Sequence, residues 1–146
     1  MGRLKQCKQQ RGGKTHIVTA EKLKVHANMV MKSLGKGHSE RVYHRALITL
    51  FNKNKIFHRS EVFSPVYFMG EVVGIGRCDL VVGDMVVEIK ANSSHPSNSL
   101  AQLRKYTEGL GKAENRKLSG VILNFNQTRG VVQMVQVRTG AKQHLI

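Results

Sequence analysis

The sequence predicts an α/β domain in which a mixed sheet is flanked by helices, with elements in the order ααβββαββ. Three observations predict it. Apolar residues recur at helical spacings from Thr19 to about Phe51. Between Ile56 and Ala91 the pattern changes to β-branched and aromatic residues with strand-like alternation. One further helical stretch then precedes two short apolar runs around a polar turn.

The first helix takes Thr19 as its N-cap and places Leu23, Ala27, Val30, Met31 and Leu34 on one side, with Gly35 and Gly37 ending it. The second runs from about Ser39, a good cap, to about Phe51, with Val42, Tyr43, Ala46, Leu47 and Leu50 on its apolar face. Glu40 falls in its first turn, where a carboxylate suits the helix dipole. Ile56 to Phe68 reads as a strand, with Pro65 marking an edge or a bend. Residues 69–74 read as a turn. Arg77 to Val82 and Met85 to Ala91 form a hairpin around Gly83-Asp84. A polar loop spans Asn92 to Ser99. A helix from about Leu100 to Leu110 carries Leu103, Tyr106 and Leu110 on one face. The last strands, Gly120 to Asn126 and Val131 to Val137, flank a turn at positions 127–130.

The chain has 146 residues, 40% of them hydrophobic, which is one domain's worth and enough for a core. Residues 1–18 form a basic arm with Arg3, Lys5, Lys8, Arg11 and Lys14 and no acid; residues 19–146 form the domain. Gly13-Lys14-Thr15 is not the end of a phosphate-binding loop, because Lys8 stands where its first glycine is required. No apolar run is long enough to span a bilayer, and the first residues lack the apolar stretch of a signal peptide. The expectation is a soluble, intracellular protein of cytoplasm or nucleus. Cys7 and Cys78 are too far apart for a zinc or disulfide motif, and the seven histidines form no ligand pair.

Twenty-four Lys and Arg against nine Asp and Glu leave a net charge of +15, which favours a polyanion, most commonly nucleic acid. Eight aromatic residues and no Trp make a poor stacking platform for single strands. With so few acids, their positions carry information. In a two-residue hairpin at 83 and 84, paired residue numbers sum to 167. Asp79 then falls opposite Glu88 and Arg77 opposite Lys90, with Lys90 on the face of Glu88. Two opposed carboxylates repel unless a cation lies between them. Hard divalent ions such as Mg2+ or Mn2+ prefer carboxylate and carbonyl oxygens, and the Ile89 carbonyl can supply another donor. Such an ion polarises a phosphoryl oxygen and acidifies a bound water, and Lys90 could orient that water or stabilise developing charge. The bland alternative is a structural salt-bridge cluster of Arg77, Asp79, Glu88 and Lys90. Against an exposed face stands the hairpin's composition: Leu80, Val82, Val87 and Ile89 on one side, Val81 and Val86 on the other.

The segment Gly37-His38-Ser39-Glu40-Arg41-Val42-Tyr43 fits the motif that names the GxxExxY family. Tyr67 to Gly74, Arg77 to Val82, Val87 to Ala91, Gln102 to Tyr106 and Gly120 to Phe125 follow in the order and spacing of that family, from about Thr19 to Val137. The chain therefore resembles this group of PD-(D/E)XK nucleases, which implies a restriction-endonuclease-like core. The resemblance also implies Glu40 as a helix-borne carboxylate, Asp79 and Glu88 as metal ligands and Lys90 as the catalytic lysine. Gln102 and Tyr106 would orient water or phosphate. The basic charge, apart from the resemblance, offers Arg77, Arg104, Lys105 and the arm residues Lys14 and Arg11 as nucleic-acid contacts, with a flexible solvated tail as the arm's alternative. Tyr43 serves the motif or simply packs its helix. Cys78 stands in place of the superfamily's proline, and Met31 in place of a histidine that many relatives carry. The activity implied is metal-dependent DNA cleavage, with branched DNA a candidate substrate and, by analogy with archaeal-type resolvases, a homodimer. The alternatives are a non-catalytic nucleic-acid-binding protein and an RNase. A viral, phage or cellular source is compatible with all of these.

Overall fold

The computed structural model describes residues 18–94 and 99–138. All but the last residue of the basic arm, including Arg11 and Lys14, and positions 95–98 of the polar loop lie outside the described residues. Eight elements follow in the expected order: α1 (Ala20–Leu34), α2 (Glu40–Lys53), β1 (Arg59–Phe68), β2 (Glu71–Val82), β3 (Met85–Lys90), α3 (Leu100–Glu114), β4 (Ser119–Phe125) and β5 (Val132–Arg138). The strands form one mixed sheet in sequence order. Only β3 and β4 run parallel, and α3 is the crossover that a parallel pair requires. No helix among the described residues is long and apolar enough to cross a membrane.

Caps explain the helix ends. The Thr19 hydroxyl accepts the Lys22 N–H at 3.2 Å, and Gly35, at φ 70°, closes α1. Ser39 sits at the N-cap of α2 but makes no side-chain cap bond, contrary to expectation. The α3 helix runs one turn beyond the expected Leu110, through Gly111 to Glu114. Gly109 is required by tertiary packing: a Cβ there would run into the carbonyl oxygen of Pro65 on β1.

Two strand boundaries also differ from the sequence reading. Residues 71–74 belong to β2 rather than to a turn. Met69 and Gly70, both at positive φ (50° and 80°), reverse the chain in two residues. The β1 strand starts at Arg59 because the Ile56 N–H is taken by the Phe51 carbonyl at the end of α2. Pro65 does lie in an edge strand.

The core has two layers. Leu23, Ala27, Leu47 and Phe51 from α1 and α2 cover Leu80, Val82, Val87 and Ile89. On the opposite face, Leu103 and Leu110 from α3 cover Val81, Val86 and Ile122. The hairpin is thus buried on both sides, and each fully buried Leu or Ile contributes roughly 1.5–3 kcal/mol. That rigid hairpin carries the acidic residues.

Candidate active site

The hairpin register is the one that the two-residue turn dictates. Leu80 pairs with Val87, Val81 with Val86 and Val82 with Met85. Gly83, at φ 60°, begins the turn. The ladder ends there, one pair short of Asp79 and Glu88. Instead, the Asp79 side chain reaches across, and its Oδ2 accepts the Ile89 N–H at 2.8 Å. The expected ladder pair is therefore replaced by a side-chain bond, while the two carboxylates still act on each other electrostatically. Arg77 pairs with Phe63 on β1, not with Lys90.

On its other side β2 also departs from regular pairing. Ser60 pairs with Leu80 and Val62 with Cys78, but Glu61 and Asp79 between them do not pair. Glu61 has φ 53° in the middle of a strand. The side-chain alternation of β2 slips at the same place, so that Cys78 and Val81 join the α3 layer while Leu80 and Val82 face α1 and α2.

Beside these departures lies a cavity of about 430 Å³ lined by Glu40, Arg41, His44, Glu61, Arg77, Asp79 and Ile89. Of the residues expected at the site, Glu40, Arg77, Asp79 and Ile89 meet here. Glu88 and Lys90 follow on β3 but do not line the cavity. Glu88 is buried, with 9% of its surface exposed, and its Oε1 has no hydrogen-bond partner. Burial, then the Asp79 charge, push its carboxyl up to about 7, with Lys90 opposing and Glu40 adding a little. Burial and the same two carboxylates push the Cys78 thiol up to about 12.

The salt-bridge alternative does not hold among the described residues. The ion pairs are Arg59–Glu114, Arg116–Glu114 and Arg77–Glu61, and none involves Asp79, Glu88 or Lys90. Nor do any three His, Cys, Asp or Glu side chains among the described residues group closely enough to hold a metal ion by themselves. The groups that could hold one together with water are the Asp79 and Glu88 carboxylates and the Ile89 backbone oxygen.

The α3 residues stand apart from the cavity. Gln102 donates to the Tyr106 hydroxyl at 2.9 Å, and the Tyr106 ring rests on Gly76, next to Arg77. Arg104 is half-buried and Lys105 exposed on the same helix. Tyr43 packs: it is fully buried, stacked on Phe125 at 4.3 Å, and donates to the Gly35 carbonyl at 2.7 Å.

Sequence reasoning missed His44, Arg41 and Glu61. His44 could have been found, since it lies four residues after Glu40 on the same side of α2. Its ring nitrogen Nε2 is 3.1 Å from the Ser60 hydroxyl, and burial lowers its pKa against the pull of Asp79 and Glu61. Glu61 had no sequence signal, because nothing local asks a glutamate to turn left-handed inside a strand.

A five-stranded mixed sheet flanked by helices, with acidic residues where a buried hairpin opens, has the form of a restriction-endonuclease-like domain. A family model for the PD-(D/E)XK nuclease superfamily matches residues 18–137, and the chain belongs to that superfamily. The match names the superfamily and no group within it. No curated protein and no solved structure matched the chain.

Proposed function

We propose that the chain hydrolyses DNA phosphodiester bonds with the help of Mg2+ or Mn2+ held at Asp79, Glu88 and the Ile89 carbonyl, with Glu40 assisting from α2. The observation that carries this reading is Glu88: a buried carboxylate with a free oxygen, strained first by its burial and then by the Asp79 charge. A cation between the two turns that repulsion into attraction, and the donors are the hard oxygens that Mg2+ and Mn2+ prefer. When bound, such an ion polarises a phosphoryl oxygen and acidifies a water.

The chain's own residues supply the rest. The Ile89 N–H holds one oxygen of Asp79 and leaves the other free. The Lys90 ammonium stabilises charge that develops on the phosphate. Arg77, exposed at the cavity, grips a flanking phosphate, while Gln102 and Tyr106 orient water or phosphate from α3. Arg104, Lys105 and the arm residues Lys14 and Arg11 add sequence-independent contacts, in keeping with the +15 charge. The small domain favours recognition of DNA shape, such as a branch, over a long base sequence.

A non-catalytic nucleic-acid-binding protein is the second reading, favoured by the charge alone. It leaves Glu88 unexplained, because a phosphate binder gains nothing from a buried acid with one oxygen unmatched. The test is to incubate the protein with linear, single-stranded and branched DNA and with RNA, in Mg2+, Mn2+ or EDTA, beside Asp79→Ala and Lys90→Ala. Metal-dependent cutting of DNA that both substitutions abolish is expected. Binding without cutting under every metal condition overturns the proposal, and cutting confined to RNA overturns the choice of substrate.

A further inference from the structure

Among the described residues, four non-glycine residues have positive φ: Lys55, Glu61, Met69 and Asn115. Lys55 and Met69 lie in turns and Asn115 caps α3, all places where the chain must reverse or stop. Glu61 alone lies inside a strand. The register sums to 140 on both sides of it, so no residue has been inserted; one pair, Glu61 with Asp79, has simply opened. The Glu61 side chain does not account for its backbone. Its ion-pair partner Arg77 is 4.0 Å away, and both side chains are more than 60% exposed, a geometry that contributes little.

What the opened pair does is visible on the other side of β2. A regular β1–β2 ladder would hold Asp79 flat in the sheet. Asp79, unpaired with Glu61, instead caps the Ile89 N–H of β3 with its carboxylate, and both residues line the cavity. Irregularities of this kind re-aim side chains, and strained backbone is kept where the surroundings demand it.

We infer that Glu61 is a positioning residue: its left-handed backbone releases Asp79 from the β1–β2 ladder and so lets the carboxylate seat on the Ile89 amide. The importance of that seat for cleavage rests on the nuclease reading, but the seat itself does not.

The test replaces Glu61 with Gly, Asn, Ala, Gln and Val in the full chain. It measures hydrogen exchange of the Ile89 amide in metal-free protein by NMR, together with melting temperature and DNA cleavage. Gly and Asn accept the left-handed region, Ala does so poorly, and β-branched Val is driven to extended backbone. Protection of Ile89 is expected to follow that order, with Gly and Asn within about threefold of wild type and Val exchanging at least tenfold faster while melting no lower. Cleavage is expected to separate the Gly and Val variants by at least thirtyfold. Should Val not fold, Ala takes its place in the comparison with Gly. Protection that follows side-chain charge, with Gln and Gly as poor as Val, overturns the inference. So does a Val variant with wild-type protection. If no variant and no wild type cuts DNA but the Ile89 order holds, the nuclease reading fails and the positioning role stands.

Discussion

Replacing Glu88 with Gln is expected to stabilise the metal-free protein at pH 8. The carboxyl, ordinarily near 4.5, is pushed up to about 7 by burial and by Asp79. A raised folded-state pKa means that the native protein binds this proton more tightly than the unfolded chain does. Its contribution is therefore fully present below about pH 4.5 and is lost as pH rises through about 7. At about 1.4 kcal/mol per tenfold change in acidity, the ionised acid costs the fold roughly 3 kcal/mol at pH 8. Glutamine has the shape of the protonated acid and carries none of this cost. In EDTA, urea denaturation of both proteins at pH 4.5 and pH 8 should give a stability difference that grows by about 3 kcal/mol in favour of Glu88→Gln, or roughly 10 °C in melting temperature. Differences that do not depend on pH cancel in this comparison. Adding Mg2+ at pH 8 should then rescue wild type by about 2.7 kcal/mol at a hundredfold excess over Kd and leave the Gln variant little changed. Equal pH dependence of the two proteins would refute the reasoning, because Glu88 would then be neither strained nor waiting for a cation.

Gly109→Ala should destabilise the protein by 1–3 kcal/mol in thermal denaturation, because its Cβ meets the Pro65 carbonyl and must push α3 off β1. Tyr43→Phe keeps the stack on Phe125 but removes the hydroxyl that joins Gly35 to Gln127, and should cost about 1 kcal/mol by the same measurement. Arg77→Ala should weaken DNA binding evenly across sequences and lower the slope of log K against log salt by about 1, read by fluorescence anisotropy.

Much of the fold was legible because the signals are local. Leu23, Ala27, Val30 and Met31 recur at helical spacing, all four are buried, and Thr19 and Gly35 stop α1 at the expected ends. The tip of the β1–β2 hairpin was misread for a physical reason. Val72, Val73 and Ile75 are all exposed, at 55, 62 and 71%, so no buried face imposes alternation on them. The extra length of α3 was hidden by Gly111, which reads as a helix breaker immediately after Leu110. At the site, Asp79, Glu88 and Lys90 stood out by spacing, and Glu40 by its motif. Glu61 and His44 came to light only when β1 and α2 were brought beside β2.

The sequence by itself determined the order of the elements and the register of the hairpin, because period and turn length act within a few residues. From these followed the neighbourhood of Asp79 and Glu88 and the apolar walls around them. Only the tertiary structure decided how the two acids differ. Asp79 leaves the ladder because Glu61 on the neighbouring strand opens the pair, and it gains a hydrogen bond from Ile89. Glu88 is buried with an oxygen unmatched, on a hairpin whose two faces are covered by helices distant in the chain. The spacing of two acids places them together; the environment that separates their chemistry is assembled from residues far away in the chain.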